Sequence, residues 1–343
     1  MTASDTSLLR PDHVYIIAEA GVNHNGDIQM AKQLIDVAAS SGVDAVKFQV
    51  FDPEEICGQE TPLAEYQKRS GETSQIDMLK SLALKHEDFA ELAAYTKKQG
   101  IDFIATPFDS ASAKFLVSLD VPFIKVPSGE ATNLPFLKEI AALGLPVILS
   151  TGTTTLQEVE EAVAIFTEAK VDLSILHCTS AYPTPVDQVN LKAMDTLHRT
   201  FDVPVGLSDH TEGIEIAIAA AALGAVIIEK HFTLNKASPG PDHKASLEPD
   251  ELENLVRSVR NVGQALGTGV KERQPLEEEV AKVVRRSVVA LSDLKKGDVL
   301  VTESITLKRP GTGIPPKELN AVLGKTLKQD VSSGTLLSWD MLS

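Results

Sequence analysis

Two histidines stand where strand-like segments end, and they could bind one metal ion together. His210 follows the apolar run VPVGLSD, and His231 follows AVIIEK 21 residues later. Neutral imidazole is a common ligand of divalent cations. A lone histidine at a strand end is more often a hydrogen-bonded structural residue, but two on neighbouring strands favour a metal. Because two protein ligands leave positions open for water and substrate, the pair predicts a labile Lewis-acid ion such as Mn²⁺ or Mg²⁺ in preference to a closed structural zinc site.

A second set of side chains at strand ends would suit an anionic ligand. Positive charge comes from Lys47 and Lys125, and hydroxyl groups come from Thr106, Ser128, Ser150 and Ser208. Ammonium groups, hydroxyls and the backbone N–H groups of small turns together suit a phosphate and a carboxylate. The alternative is a structural ion-pair network in which the lysines pair with Glu19, Glu130 or Glu229.

These side chains can meet only if the fold brings the ends of their strands together. Eight short apolar runs alternate with helical patterns along the chain. The runs are VYIIAEAG (14–21), AVKFQVF (45–51), DFIATPF (102–108), PFIKVPSGE (122–130), PVILSTG (146–152), LSILHCTSAYP (173–183), VPVGLSDHT (203–211) and AVIIEKHFT (225–233). Apolar strands alternating with helices predict a parallel sheet covered on both faces, and eight such units fit an α/β (β/α)₈ TIM barrel. Each run begins apolar and ends polar, so we expect the polar ends to meet at the carboxyl-terminal rim, where active sites of this fold lie.

A lysine within a barrel strand also raises the alternative of a Schiff-base lyase or aldolase. Lys125 is the candidate for that role, because it lies in the middle of the fourth run. Schiff-base chemistry needs no metal, so the paired histidines argue against this alternative.

Charge and composition limit the classes of function. The 343 residues include 48 acidic and 32 basic side chains, a net charge of −16, which argues against sequence-independent binding of nucleic acid or an anionic membrane. The longest apolar run, residues 216–228, is shorter than a membrane span. The first 13 residues lack the apolar core of a signal peptide, and two cysteines make no disulfide framework. We therefore expect a cytoplasmic protein with no membrane or nucleic-acid partner.

The charge also changes sign along the chain, which indicates a domain boundary. Residues 281–343 hold 10 basic and 6 acidic side chains, a net charge of +4, which leaves −20 for residues 1–280. We predict a TIM-barrel domain at 1–270, a linker at 271–285 and a small β-rich domain at 286–343. The polar insertion at 52–75 would form a lid or a subunit contact beside the barrel mouth.

Taken together and in order, a series of motifs resembles the sialic acid synthase family. The motifs are AEAGVNHNGD, VKFQ, TPFD, KVPSGE, ILSTG, LHCTSAYPTP, GLSDHT, EKHFTL, GPDHKASLEPDEL and KRPGTG. The resemblance runs from about residue 14 to the C-terminus, and the tail from Arg286 resembles the antifreeze-like (SAF) domain of that family. Family members condense phosphoenolpyruvate with an N-acylated mannosamine-type sugar, release phosphate and so make nine-carbon nonulosonic acids.

The resemblance implies a role for each matching residue. His210 and His231 would hold the divalent metal, Mn²⁺ first, with Mg²⁺ or Co²⁺ as alternatives. The residues implied to bind phosphoenolpyruvate are Lys47, Thr106, Lys125, Ser128, Ser150 and Ser208. Those implied to surround the acceptor sugar are Glu19, Gln49, Tyr182, Asp242 and Arg309. The expected catalytic residues are Glu130, Glu19 and Lys125, with Glu130 handling the proton of the attacking water.

Arg309 carries a further implication, because in the family the antifreeze-like domain inserts this arginine into the partner subunit's active site. A domain-swapped homodimer is therefore expected. Ser180 stands where some relatives have Asn, and we assign it no contact.

The motifs resemble one family but do not single out one acceptor sugar. Our first expectation is an N-acetylneuraminate synthase acting on N-acetylmannosamine. The alternative is an N,N'-diacetyllegionaminate synthase acting on 2,4-diacetamido-2,4,6-trideoxymannose, because AEAGVNHNGD and GPDHKASLEP resemble both groups. A Schiff-base lyase and a non-catalytic binding role of the C-terminal domain are remoter alternatives.

Overall fold

Eight parallel strands, each followed by at least one helix, form the larger part of the chain. The computed structural model describes residues 13–58, 61–63 and 74–343. The strands are β1 (Tyr15–Gly21), β2 (Ala45–Val50), β3 (Asp102–Pro107), β4 (Ile124–Val126), β5 (Val147–Ser150), β6 (Leu173–Cys178), β7 (Val205–Asp209) and β8 (Ile227–His231). They are hydrogen-bonded in the order β3-β2-β1-β8-β7-β6-β5-β4, and β3 packs beside β4 to close the ring. The predicted (β/α)₈ barrel is confirmed.

Several of the connecting helices begin at a residue whose side chain caps the helix. They are α1 (Ile28–Ser41), α2 (Pro53–Ile56), α3 (Gln75–Leu82), α4 (His86–Gln99), α5 (Ser110–Ser118), α6 (Leu134–Ala142), α7 (Leu156–Ala169), α8 (Ala193–Phe201), α9 (Glu215–Ala222) and α10 (Pro249–Leu266). Asp27 accepts hydrogen bonds from two backbone N–H groups at the start of α1, and Thr155 forms a capping box with Glu158 at the start of α7. Gly42 ends α1 in the left-handed conformation with φ of 79°, which favours glycine.

Two apolar layers hold the barrel together. The larger core lies between the strands and the surrounding helices. A smaller cluster fills the interior of the barrel and includes Tyr15, Ile17, Ala45, Ile104, Phe123, Ile148, Leu176 and Ile227. Because alternate strand residues share a face, the next interior positions along these strands are polar, as in Ile17 and Glu19 or Ala45 and Lys47. The apolar cluster therefore fills the barrel interior below the polar strand ends.

A second compact unit begins at Thr268, after a first unit that ends at Gly267. It contains α11 (Glu277–Val284), the antiparallel strands β9 (Ser287–Ala290) and β10 (Ile305–Lys308), and the short α12 (Leu319–Val322). Its own core is formed by Val288, Ala290, Leu300, Ile305, Ile314, Val322, Leu327, Val331, Leu337 and Leu342. The predicted small β-rich domain is confirmed as a fold.

The strands are shorter than several of the apolar runs. The runs ending in KVPSGE and HCTSAYP leave the sheet after Val126 and Cys178, so their polar tails are loops. In the insertion at 52–75, residues 59–60 and 64–73 lie outside the described residues, and its role stays a prediction. Residues 1–12, on which most of the signal-peptide prediction depends, are likewise outside. Within the described part of the chain, no helix is both long and apolar enough to span a membrane.

Candidate active site

The carboxyl-terminal ends of the barrel strands surround a cavity of about 420 Å³. Twelve of the fourteen side chains with predicted roles line it, namely Glu19, Lys47, Gln49, Thr106, Lys125, Ser128, Ser150, Tyr182, Ser208, His210, His231 and Asp242. The volume lies in the range of small-molecule sites. The cavity is therefore the candidate active site.

Buried charged groups lie at the floor of this cavity. Glu229 Oε2 lies 3.6 Å from Nζ of Lys47 and 3.6 Å from Nζ of Lys125, and Glu229 Oε1 accepts a hydrogen bond of 2.8 Å from the Ser208 hydroxyl. Lys47 also forms an ion pair of 2.8 Å with Glu19. Both sequence-based alternatives are thus partly realised, because the lysines are paired with carboxylates and also line the cavity.

The two carboxylates of this cluster titrate in opposite directions. Burial raises the pKa of Glu19 above its ordinary value, against the opposing effect of Lys47, and the charge of Glu229 raises it further. Burial would also raise the pKa of Glu229, but the Lys125 and Lys47 ammonium groups lower it to about 2. Divergent pKa values in neighbouring carboxylates let an active site hold one group ionised while the other carries a proton.

Lys125 is the less strongly paired of the two lysines. Burial lowers its pKa, and the neighbouring Lys47 ammonium lowers it further, while Glu229 acts in the opposite direction. Lys47, with Glu19 and Glu229 both close by, has its pKa raised despite burial. An anionic ligand at this point would add negative charge beside two desolvated ammonium groups, which is where such charge is most strongly stabilised.

Hydroxyl groups extend the cluster toward β4 and β5. The Lys47 ammonium donates to Thr106 Oγ1 at 3.0 Å, and the Gly152 backbone N–H donates to Ser128 Oγ at 2.9 Å. Ser150 Oγ is buried and makes no hydrogen bond to the described residues. A Cβ atom at Gly152 would lie 2.2 Å from Ser180 Oγ, so a larger residue there would displace that hydroxyl. Ser150 is therefore a hydroxyl whose hydrogen-bonding capacity is open to a ligand.

The two histidines meet above β7 and β8 with ring centroids 5.3 Å apart. His210 Nδ1–H donates to the Thr179 carbonyl at 2.9 Å. Burial lowers the pKa of His231 well below its ordinary value, and the neighbouring His210 lowers it further. The Tyr182 ring packs against both imidazoles, at centroid distances of 4.2 Å and 5.7 Å.

This donor set fits a divalent cation with two protein ligands. A metal-bound histidine normally donates its other ring N–H to a backbone carbonyl, as His210 does to Thr179, which leaves Nε2 for a metal. His231 Nδ1 is buried without a hydrogen-bond partner in the described structure. Among residues 13–58, 61–63 and 74–343, no three His, Cys, Asp or Glu side chains form a metal-binding group. The residues present thus suit an open site and not a closed structural one.

Loops after β1 and β8 hold Asp242 over the cavity. The Asn23 side-chain amide donates to the Phe232 carbonyl at 2.8 Å and to Ser246 Oγ at 3.0 Å. Ser246 Oγ in turn donates to the Asp242 carbonyl at 2.8 Å. Burial raises the pKa of the Asp242 carboxyl to about 6, and Glu19 adds to the effect. Asn23, the first residue of the NHNG turn after β1, therefore holds the loop that carries Asp242 close to the end of β1.

Two predicted residues do not line the cavity. Glu130 ends a short 3₁₀ turn (Ser128–Glu130) after β4, and its carboxylate accepts a hydrogen bond from Asn133 at 2.7 Å. Arg309 is exposed in the second unit, next to a cis bond to Pro310. The roles expected of both residues remain predictions.

Glu229 and Cys178 are among the cavity-lining side chains to which sequence reasoning gave no role. Glu229 was considered only as a structural partner of the lysines, although its position two residues before His231 on the same strand face was a usable signal. Cys178 was assigned no function, yet its Sγ lies 3.8 Å from His210 Nδ1. Burial raises the pKa of this thiol, but His210, Ser128 and Lys125 lower it to about 7. The sequence alone does not reveal which groups surround a cysteine in a strand.

Comparisons with known proteins agree with this geometry. The NeuB family model matches residues 34–271, and the SAF domain model matches residues 285–343. N,N'-diacetyllegionaminic acid synthase from Legionella pneumophila is 46% identical, covering 95% of this chain and 94% of the relative, and the Campylobacter jejuni enzyme of that name is 45% identical, covering 94% and 98%. The solved N-acetylneuraminic acid synthetase from Leptospira borgpetersenii is 37% identical, with a TM-score of 0.73, covering 82% of this chain and 94% of that one. The chain is a member of the NeuB family of nonulosonic acid synthases, with a C-terminal SAF domain.

Proposed function

We propose that the protein is a metal-dependent N,N'-diacetyllegionaminic acid synthase, which condenses phosphoenolpyruvate with 2,4-diacetamido-2,4,6-trideoxymannose. The two legionaminic acid synthases are more similar to the chain than the N-acetylneuraminic acid synthetase is. The first expectation from the sequence, an N-acetylneuraminate synthase, is therefore less well supported than its alternative.

The observation that carries the proposal is the convergence of two buried ammonium groups, a row of hydroxyls and two imidazoles on one cavity. Lys47 and Lys125 would neutralise the phosphate and carboxylate of phosphoenolpyruvate, with Thr106, Ser128, Ser150 and Ser208 as hydrogen-bonding partners. Glu229 holds both lysines in place between itself and the ligand, since it lies 3.6 Å from each.

The histidine pair would hold the divalent metal, with Mn²⁺ as the expected ion. When bound, such a metal supplies Lewis-acid polarisation of the sugar aldehyde. The buried His231 imidazole stays neutral, which is the form that binds metals, because its pKa is lowered.

In the proposed reaction, a bond forms between C3 of phosphoenolpyruvate and the aldehyde carbon of the open-chain sugar, and the aldehyde oxygen takes up a proton. Water adds at C2 of the resulting cation and loses a proton, which leaves a hydroxyl and the phosphate on C2. The C2–O bond to phosphate then breaks, phosphate leaves, and the hydroxyl gives up its proton to become the ketone. Glu19, Gln49, Tyr182 and Asp242 would position the sugar. We expected Glu130 to handle the proton of the water, but Glu19 is better placed because it lines the cavity and its pKa is raised.

A homodimer in which Arg309 reaches the partner's cavity is part of the proposal. An exposed apolar face on the second unit supports a subunit interface in this homodimer. Four apolar side chains of α11 and of the residue before it are exposed at helical spacing. They are Leu276, Val280, Val283 and Val284.

The test is phosphate release from phosphoenolpyruvate with Mn²⁺, measured with the diacetamido sugar and with N-acetylmannosamine, each with and without EDTA. We expect EDTA-sensitive turnover with a higher kcat/KM for the diacetamido sugar. A higher kcat/KM for N-acetylmannosamine would make the protein an N-acetylneuraminate synthase. No release with either sugar would contradict both assignments, and ¹⁸O from water in the phosphate instead of at C2 would contradict the order of steps.

A further inference from the structure

One side of the cavity mouth is apolar, and the reaction described above does not use it. We define the apolar shelf as the cavity-lining side chains Val22, Phe51, Ile56, Met78, Leu79 and Phe108. They belong to a small apolar cluster that is separate from both barrel cores. The rings of Phe51 and Phe108 meet edge to face, with centroids 6.2 Å apart. Ile56, Leu79 and Phe108 are only half-buried, so part of the shelf faces open space.

The apolar shelf continues outward from the polar residues on three adjacent strands. β1, β2 and β3 each carry a polar cavity residue, and an apolar cavity residue follows it two or three positions later, directly after the strand ends. The pairs are Glu19 and Val22, Gln49 and Phe51, and Thr106 and Phe108. α2 and α3, which follow β2, contribute the rest of the shelf. The cavity therefore changes from charged at the floor to apolar at the mouth on this side.

The direction of this change fixes which end of the acceptor would meet the shelf. The aldehyde carbon C1 must approach the lysines and histidines at the floor, so the far end of an open-chain sugar points to the mouth. In 2,4-diacetamido-2,4,6-trideoxymannose that end is a C6 methyl group, whereas N-acetylmannosamine carries a hydroxyl there. An apolar surface gains by burying a methyl group and loses by desolvating a hydroxyl.

We propose that the apolar shelf binds the C6 methyl group of the acceptor and thereby selects 6-deoxy sugars over 6-hydroxylated ones. This inference rests on the proposed function and adds the part of the cavity that decides the acceptor. A single group at an apolar contact changes kcat/KM by about tenfold, and that is the size of the preference expected here.

The test uses two acceptors that differ only at C6, N-acetylmannosamine and its 6-deoxy analogue. We expect the wild-type protein to favour the 6-deoxy sugar by about tenfold in kcat/KM. Leu79→Asn and Ile56→Asn should bring this ratio close to one, because each places an amide on the shelf. Leu223→Asn is the matched control, since Leu223 is 63% exposed just after α9, at the opposite end of the barrel, and it should leave the ratio unchanged.

Three results would overturn the inference, and they differ from failure of the proposed function. Equal kcat/KM values of the wild-type protein for the two acceptors would contradict it without any variant. A folded Leu79→Asn or Ile56→Asn protein that keeps the wild-type ratio would contradict it too, as would an equal loss in Leu223→Asn. In each case, turnover of the diacetamido sugar would leave the proposed function intact, whereas no turnover of any acceptor would remove the function itself.

Discussion

At the scale of single residues, the charged floor of the cavity combines two lysines with one carboxylate whose pKa is lowered to about 2 and one whose pKa is raised. The Glu229 carboxylate lies 3.6 Å from both lysine Nζ atoms and acts to raise the pKa of each, against the effect of burial. Without it, two like charges would be desolvated side by side, which is strongly unfavourable. The cluster is therefore preorganised to receive an anion, with little rearrangement at the moment of binding.

Lys125→Met should lower kcat/KM for phosphoenolpyruvate by about a hundredfold or more, because it removes one partner of a buried charged contact. Lys138→Met, which removes an exposed lysine of α6, is the control and should leave kcat/KM unchanged. Steady-state phosphate release measures both. Inactivation of the wild-type protein by borohydride only in the presence of substrate would instead indicate Schiff-base chemistry at Lys125.

His24 should make the protein less stable as the pH falls below neutral. Its ring is 1% exposed, and burial lowers its pKa from about 6.5 to about 4. Between these values the unfolded chain binds a proton that the folded chain does not, so stability present above pH 6.5 is lost as the pH falls to about 4, by up to about 3 kcal/mol. Urea unfolding at several pH values should show a weaker pH dependence in His24→Gln than in the wild-type protein. His86→Gln, at an exposed ring, should leave the dependence as it is, and an unchanged slope in His24→Gln would contradict the prediction.

Much of the site could be predicted from single residues because the barrel fixes where strand ends go. Twelve of the residues with predicted roles stand in the apolar runs, and eleven of these line the cavity. Glu130 differs because the chain has already turned after Val126, and its carboxylate is held by Asn133. The apolar shelf could not be predicted as a unit, since Ile56 and Leu79 lie in the long stretch between β2 and β3, where no strand periodicity places side chains at the cavity.

At the scale of elements, close contact between β6, β7 and β8 depends on a glycine. A Cβ atom at Gly206 would lie 2.3 Å from the Ile227 carbonyl oxygen and 2.8 Å from a Leu176 methyl carbon. His210 directly follows β7 and His231 ends β8, so the two imidazoles stand at the ends of strands that pack closely at this glycine. A glycine inside a strand indicates such a close approach of backbones.

Gly206→Ala should therefore lower the free energy of unfolding by about 3 kcal/mol through overpacking. Gly263→Ala is the matched control, because a Cβ atom there meets nothing within 4 Å and the residue lies inside α10. We expect that control to raise stability by up to about 1 kcal/mol, as alanine favours a helix. Denaturant unfolding of both variants measures the difference, and equal stabilities would show that the barrel absorbs the added methyl.

The strands were the most predictable elements, and their ends were the least. All eight apolar runs contain a barrel strand, because burial on both faces demands continuous apolar residues. The polar residues after Val126 and Cys178 could not be assigned to a strand or to a loop from the sequence. A polar residue can line the cavity whether it ends a strand or begins a loop. The apolar run at 216–228, which is too short for a membrane span, holds most of α9 and the start of β8.

At the scale of the whole molecule, the acidic barrel region of one subunit and the basic C-terminal region of another would attract each other in the proposed homodimer. The two segments carry −20 and +4 on either side of residue 281. In the proposed homodimer, one subunit's Arg309 serves the partner's cavity, so each site uses residues of two chains.

Mixed dimers should test this arrangement directly. A dimer of one Lys125→Met and one Arg309→Ala subunit has one site with both defects and one with neither, so about half of wild-type activity per dimer should return. Each homodimer should be weakly active. A mixed dimer of Lys125→Met and His210→Ala subunits is the control, because both of its cavities are defective. Loss of activity in the first mixed dimer to the level of the homodimers would contradict a shared site.

The separation of the cavity into a charged floor and an apolar mouth has a consequence for how such enzymes diverge. Groups proposed to carry out bond making and breaking come from the ends of several barrel strands, whereas half of the apolar shelf, Ile56, Met78 and Leu79, comes from the single stretch between β2 and β3. Mutations in that stretch can alter acceptor choice while the phosphoenolpyruvate half of the reaction is inherited unchanged. On the proposed role of the shelf, substitutions in that one segment would change which nonulosonic acid is made, with no change in the residues proposed to carry out the reaction.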